Sequence, residues 1–329
     1  LPQSKRLAIA IATALIFFVA YDHFYLSKIR AAMEANATAA QIAQKNAAKS
    51  APQTTAAGVS AQGANLSTAD SISAPLVRVV GKEVNFTIDG LGRISSYVLN
   101  DAKFRDGNGE ALNLIDVKSH SKPLEVRFED AALNAMAFDT PYSASSSELD
   151  VRNGEASVSL SQNLGSVAIT KNLTFFPNGS YKLDVKLNGS APYFITPGSR
   201  PNVEVDNYTI HGVIVGKPGE AGIFDKLTSF FTDSQSTKEN VEIFKDGDVD
   251  SNERISNANI AASSDRYYTT LFYGNNMDVT VTDADKISQV FIRSNGDFSA
   301  TGYLGAKDHA TLNSIDPVLT NIIEYGWFT

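Results

Sequence analysis

The chain has no cysteine. That removes disulfides, thiolate metal sites and a cysteine nucleophile, while leaving the compartment open. It has one tryptophan, Trp327, and four scattered histidines, His23, His120, His211 and His309. No His-Glu-x-x-His run and no histidine pair one helical turn apart occurs, so the sequence offers no zinc-type ligand set. Basic charge is scarce as well: 28 Lys and Arg face 36 Asp and Glu, for a net charge of −8 and a pI near 5.1. With no basic stripe to displace counterions from phosphates, nucleic acid is excluded as a partner. Gly-x-Ser-x-Gly, P-loop and glycine-rich nucleotide fingerprints are missing too. No cofactor, no metal and no catalytic residue is expected.

What is present begins with an apolar run. Leu7 to Tyr21 carries no charge, and through Leu26 only Asp22 and His23 interrupt it, behind Lys5-Arg6. About 20 such residues cross a bilayer as a helix. Two readings compete. A cleaved signal peptide has the same basic start, and Val19-Ala20 offers it a weak exit. An uncleaved anchor over residues 1–30 better explains the interfacial aromatics Phe17, Phe18, Tyr21, Phe24 and Tyr25. Lys5 and Arg6 then hold the N-terminus in the cytoplasm, with residues after about 27 on the far side. Residues 31–75 follow as a low-complexity linker. From Ala35 to Pro75 there is no aromatic residue and only Lys45, Lys49 and Asp70 are charged. Such a segment buries too little apolar surface to offset its ordering entropy.

From Leu76 the apolar period becomes two. Val77–Val80, Val84–Ile88 and Ile94–Leu99 are separated by short glycine-bearing turns, the pattern of antiparallel strands. Further strands are expected at Leu124–Phe128, Ala156–Leu160, Val167–Phe176, Tyr181–Leu187, Val203–Tyr208, Ile210–Val215, Arg266–Tyr273, Val279–Thr282, Ile287–Arg293 and Phe298–Tyr303. Pro177-Asn178-Gly179-Ser180 supplies a hairpin turn. More than a dozen short strands make residues 76–306 a large all-β antiparallel sandwich.

Helical spacing returns at the end. Leu312, Ile315, Val318, Leu319, Ile322 and Ile323 form one apolar stripe, broken at Asp316-Pro317, where Asp is a good N-cap and Pro suits the first helical position. Helices are expected over about 307–315 and 317–325, lying on the sandwich. Beyond them stand Tyr325, Trp327 and Phe328, either an interfacial cluster, where amphipathic rings favour a membrane boundary, or a plug beneath the last helix. Glu220–Phe231 also has helical spacing, with Ile223, Phe224, Leu227, Phe230 and Phe231 on one side.

Two sequence patterns invite chemistry that their residues do not complete. Asp246–Glu253 resembles a calcium loop, but an EF-hand needs Gly at position 6 and Glu at position 12, where Ser251 and Asn257 stand. It reads instead as an acidic, solvated turn. Glu34–Thr38 and Glu83–Thr87 fit an acidic glycosylation sequon at Asn36 and Asn85. Such matches arise by chance in an Asn- and Ser-rich chain.

In order, these features resemble the YidC-type membrane protein insertases of Gram-negative bacteria. The specific part is Gly302-Tyr303-Leu304-Gly305-Ala306-Lys307, then the spaced apolar residues, then Ile323-Glu324-Tyr325-Gly326-Trp327-Phe328. Asp265–Phe272 is similar to an aromatic strand of the family but lacks its opening Gly-Trp. The resemblance implies a first transmembrane helix, a tether and a periplasmic β-supersandwich related to aldose-mutarotase-like folds. It also implies a following membrane bundle, with a groove for the substrate helix, none of whose residues are present. The expected role is an inner-membrane scaffold acting with nascent membrane proteins, the lipid bilayer and Sec translocon subunits (SecD, SecF, SecYEG). Leu312, Ile315, Leu319, Ile322, Ile323, Tyr325, Trp327 and Phe328 are the candidate coupling surface. The alternative is a carbohydrate-binding or aldose-modifying module, against which the lack of Trp before Trp327 counts.

Overall fold

The computed structural model of the chain describes residues 74–106, 108–115, 120–201, 211–218 and 240–323. The expected anchor, nearly all of the linker, the Val203–Tyr208 strand, the Glu220–Phe231 helix and Tyr325, Trp327 and Phe328 lie outside these residues. No helix among the described residues is long and apolar enough to cross a membrane.

Two sheets face each other. The smaller has the order β3 (Ile94–Leu99), β2 (Val84–Asp89), β1 (Pro75–Val80) and β6 (Glu148–Asp150). Its β1–β6 pair is parallel, whereas every other strand pair is antiparallel. The larger sheet runs β12 (Asn240–Lys245), β11 (Gly212–Lys217), β13 (Glu253–Ser264), β14 (Tyr268–Ala284), β16 (Phe298–Ala306), β9 (Ser180–Asn188), β8 (Ala168–Phe175), β7 (Ala156–Asn163) and β5 (Ser143–Ala144). A branch leaves β14 through β15 (Ile287–Ser294) to β10 (Tyr193–Ile195) and β4 (Val126–Phe128).

Alternation builds the core between the sheets. Along β8, Ile169, Lys171, Leu173 and Phe175 point inward while Asn172 faces solvent. Phe86 of β2 meets Phe175 edge-on at 4.9 Å and stacks on Tyr97 of β3 at 5.4 Å. The turn from β8 to β9 forms as its sequence predicts, with Gly179 at φ +83° and its amide donating to the Phe176 carbonyl at 3.1 Å. At Gly302 of β16 the reason for glycine is space: a Cβ there would sit 2.1 Å from the buried Tyr181 ring.

One part of the large sheet is buried on both faces. Val213, Val215, Ala261, Phe272 and Leu304 join the main core, whereas their neighbours Ile214, Ile260, Ala262, Leu271 and Tyr303 form a second cluster behind it. The second cluster is completed by Leu312, Leu319 and Ile322, from α2 (His309–Ile315) and the following 3-10 helix (Pro317–Ile322).

Several expectations change in detail. β4 begins at Val126, because Leu124 takes a left-handed φ of 70° that ends the extended run. Arg266 stands in the β13–β14 turn, held by the Asp265 carboxylate, which accepts from Tyr267 and Tyr268 amides at 2.7 Å each. The second terminal helix is a 3-10 segment ending at Ile322. A helix absent from the sequence reading, α1 (Ala131–Asp139), is capped by Asp130, whose side chain accepts from the Leu133 amide at 2.8 Å. Asp246 is not a solvated turn residue: it accepts from Arg200 Nε at 2.7 Å and from the Ser288 amide at 2.9 Å. Asp248 and Asp250 beside it are exposed.

Candidate functional site

The terminal stripe is assembled by two aspartate caps. Asp308 Oδ2 accepts from the Thr311 amide at 2.8 Å and starts α2; Asp316 Oδ1 accepts from the Val318 amide at 2.9 Å and starts the 3-10 turn, with Pro317 at its first position. Hydrogen bonds from the Thr311 amide and hydroxyl hold the Asp308 carboxyl below its ordinary pKa. The caps set the phase, so that Leu312, Leu319 and Ile322 all reach the same sheet face and are buried there. Ile315, Val318 and Ile323 pack on the rim of that cluster and stay partly exposed. Of the residues singled out in the sequence, five therefore come together on one sheet face, while Tyr325, Trp327 and Phe328 lie outside the described residues.

A second constellation, unseen in the sequence, is an ionic cluster inside the sandwich. The Asp89 carboxylate is buried at the β2–β3 turn and accepts from Arg93 Nη2 at 2.8 Å and Nε at 3.0 Å. Arg93 Nη1 donates to Glu125 Oε2 at 3.1 Å, and Arg127 Nε donates to Glu125 Oε1 at 2.8 Å. From the facing sheet, Lys171 Nζ reaches across to donate to the Gly92 carbonyl at 2.7 Å and the Leu124 carbonyl at 2.9 Å. It lies 4.2 Å from the centre of the Tyr142 ring. Burial pulls the Lys171 amine down to about 7, against the opposing pull of Asp89 and Glu125. The cavity beside this cluster, lined by Arg93, Glu125, Tyr142 and Gln162, holds only about 10 Å³. That is room for one water molecule. The ions tie backbone to backbone between sheets and leave no space for a sugar ring.

The larger opening lies where the small sheet meets the start of α2. This cleft of about 390 Å³ is lined by Glu83, Tyr97, Asp101, Lys103, Phe104, Gly179 and Tyr303, by the end of β16 (Leu304, Gly305 and Ala306), and by Asp308 and Thr311. Burial pushes the Tyr97 phenol well above its ordinary pKa, with smaller contributions from Tyr303, Tyr181 and Glu83. Tyr303 is likewise raised by burial and donates from its hydroxyl to the Ala306 carbonyl at 2.8 Å. No histidine lines the cleft, and Tyr97 and Tyr303 are buried, so their faces are not offered to a pyranose. Among the described residues there is no group of three or more His, Asp or Glu that would hold a metal ion.

The sequence decides the family. No protein-family model matches the chain. It is 38% identical over 332 residues to the membrane protein insertase YidC of Campylobacter jejuni, covering 99% of this chain and 58% of that protein. By sequence, the chain belongs to the YidC-type insertases. The Wolinella succinogenes member is 33% identical over 331 residues, covering 98% of this chain and 57% of that one. The chain thus spans a little under three fifths of the length of these YidC relatives. The crystal structure of the periplasmic domain of the Thermotoga maritima YidC is similar at 14% identity, with a TM-score of 0.31, covering 75% of this chain and 95% of that one.

Proposed function

We propose that the chain is the N-terminal portion of an inner-membrane insertase and that its β-domain serves as a scaffold and partner-docking module. In this reading residues 1–30 anchor the chain with its N-terminus in the cytoplasm. Residues 31–75 tether, residues 76–306 stand in the periplasm as a mutarotase-like supersandwich, and residues 307–329 lead toward a membrane core. The substrates are nascent membrane proteins; the docking partners are the bilayer and Sec translocon subunits (SecD, SecF, SecYEG). The observation that carries this is 38% identity along 99% of the chain with a protein named as an insertase. The geometry supports a coupling role for the terminal helices, because Leu312, Leu319 and Ile322 seat them on the sheet as one body with it. The carbohydrate module is the weaker reading. The ionic cluster has only a water-sized cavity, and the open cleft has no histidine in its lining, with Tyr97 and Tyr303 buried.

Growth complementation by the full-length protein tests the proposal. At equal membrane abundance, Leu319→Asp should impair growth and Asp248→Asn should not. Full complementation by Leu319→Asp together with failure of Asp248→Asn would move the functional surface from the helices to the strands.

A further inference from the structure

An asparagine followed by glycine exposes its side-chain amide to attack by the next backbone nitrogen, because glycine puts no side chain in the way. The chain has five such pairs: Asn108-Gly109, Asn153-Gly154, Asn178-Gly179, Asn188-Gly189 and Asn295-Gly296. All five lie among the described residues, and the fold treats them differently. In four of them a hydrogen bond or a strand ladder holds the groups that would have to move. Both amides of the first pair are committed to Asp106, Asn108 N–H to its Oδ1 at 2.9 Å and Gly109 N–H to its carbonyl at 3.0 Å. At Asn178, Oδ1 accepts from the Ser180 amide at 3.1 Å and hydroxyl at 2.6 Å, while the Gly179 amide donates to the Phe176 carbonyl. Asn188 is the last residue of β9 and pairs with Ala168 of β8. The Gly296 amide donates to Ser294 Oγ at 3.3 Å, and its carbonyl accepts from the Tyr193 hydroxyl at 2.9 Å.

Asn153-Gly154 is held by none of these devices. Neither the Asn153 side chain nor the Gly154 amide has a hydrogen-bond partner among the described residues. Asn153, Gly154 and Glu155 are all exposed, and a Cβ placed on Gly154 would meet nothing within 4 Å beyond its chain neighbours. Both ends of this turn are nevertheless fixed. Before it, Val151 is buried, its amide donates to the Val80 carbonyl at 2.9 Å, and Arg152 Nη2 is clamped on Asp150 at 2.6 Å. After it, Ala156 opens β7 opposite Phe175.

We propose that Asn153 is the residue at which the folded chain deamidates, and that it does so without loss of the fold. The Gly154 amide gives its proton to hydroxide, and its nitrogen attacks Asn153 Cγ. A new C–N bond closes a cyclic succinimide, the Cγ–Nδ2 bond breaks, and Nδ2 leaves as ammonia with a proton from water. Water then opens the ring at either carbonyl, giving aspartate or isoaspartate. Water is the sole co-reactant, and nothing is oxidised or reduced. Holding the two reacting groups on one short stretch of chain makes the attack intramolecular. Each hydrogen bond that has to open before the ring can close slows it by about fivefold. Asn153 has none to open. The product carries a new negative charge between Asp150 and Glu155, and the anchors at Val151 and Ala156 lie outside the altered peptide bond. The inference is independent of the insertase reading.

The test is peptide mapping by mass spectrometry of the 329-residue chain, aged under mildly alkaline conditions beside a second sample unfolded in urea. In the folded sample the amide-to-carboxyl change should build up at Asn153 about fivefold faster, or more, than at Asn108, Asn178, Asn188 or Asn295. In urea the five rates should converge, because the protection belongs to the fold. Gly154→Ala should slow the change at Asn153 several-fold, since its methyl group crowds the attacking nitrogen. The aged chain, converted at Asn153, should keep the urea unfolding midpoint of the fresh one. Faster conversion at any of the other four sites, or no conversion at Asn153 while the urea sample converts, would overturn the proposal. So would a lead for Asn153 that survives in urea, an unchanged rate in Gly154→Ala, or a midpoint that falls as Asn153 converts.

Discussion

Replacing Lys171 with methionine should change how stability depends on pH while leaving stability near pH 7 almost unchanged. The native amine is completely buried and titrates near 7, against 10.5 when exposed. At 1.36 kcal/mol per pH unit, keeping it charged in the fold costs about 5 kcal/mol. The sign follows from proton counting. Below pH 7 both the folded and the unfolded states hold the proton, so the whole cost is present. Between 7 and 10.5 the unfolded state holds more protons, so the unfolding free energy rises with pH. From pH 7 to 9.5 this one group should add about 3 kcal/mol to the stability of the parent chain. Methionine keeps most of the stem and does not titrate, but it leaves the Gly92 and Leu124 carbonyls without their donor. Each orphaned carbonyl costs about 1–3 kcal/mol. At pH 7 the gain and the loss nearly cancel, so the two proteins should be of similar stability. By pH 9.5 the parent should be ahead by about 3 kcal/mol. Urea unfolding at both pH values, followed by far-UV circular dichroism, measures the difference. Parallel pH profiles would refute the reasoning. They would mean that Asp89, Glu125 and the Tyr142 ring face hold Lys171 charged throughout.

Gly302→Ala should lower the unfolding free energy by about 1–3 kcal/mol, because the new methyl group is forced onto the Tyr181 ring in a filled core; a differential scanning midpoint equal to the parent's would contradict it. Asp246→Asn should cost about 1–3 kcal/mol in urea unfolding through its charged contact with Arg200, whereas exposed Asp248→Asn should stay within about 0.5 kcal/mol. Leu319→Asp removes a fully buried leucine and puts a carboxyl in its place, so about 3–5 kcal/mol of helix docking should be lost. Hydrogen exchange should then accelerate in 309–322 while β8 and β9 keep their protection, and uniform acceleration would show that the helices and sandwich open as one unit.

The legible parts of this fold are those where one face of an element is wet. β7, β8 and β9 alternate cleanly in burial, and their strands and the Gly179 turn stand where period two and Asn-Gly placed them. β13 escaped because the terminal helices cover its back. Its residues from Ala258 to Ser264 are buried without a break, so the alternating signal is erased. α1 escaped for the opposite reason: it buries only Ala137, and so has no apolar stripe to show. The terminal stripe was readable because its spacing and the Asp316 cap are local, although the Asp308 cap was not read. The ionic cluster and the cleft were not. Asp89 and Lys171, or Glu83 and Asp308, come together only through the stacking of sheets, which no spacing along the chain records.

The place of β16 in the large sheet sets chain order against spatial order. It lies between β14 and β9, so it joins β9, β8, β7 and β5 to β14 and the strands beyond it, yet it leaves the ribosome after every other described strand. Until Phe298 to Ala306 has been made, β9 and β14 each present an open edge, and Ile214, Ile260, Ala262 and Leu271 lack the cover that arrives only with Ile322. Most of this domain is therefore synthesised before it can close, with sticky edges and an apolar face waiting together. A cell making this chain has to protect a nearly complete but unsealed domain until its final two dozen described residues appear.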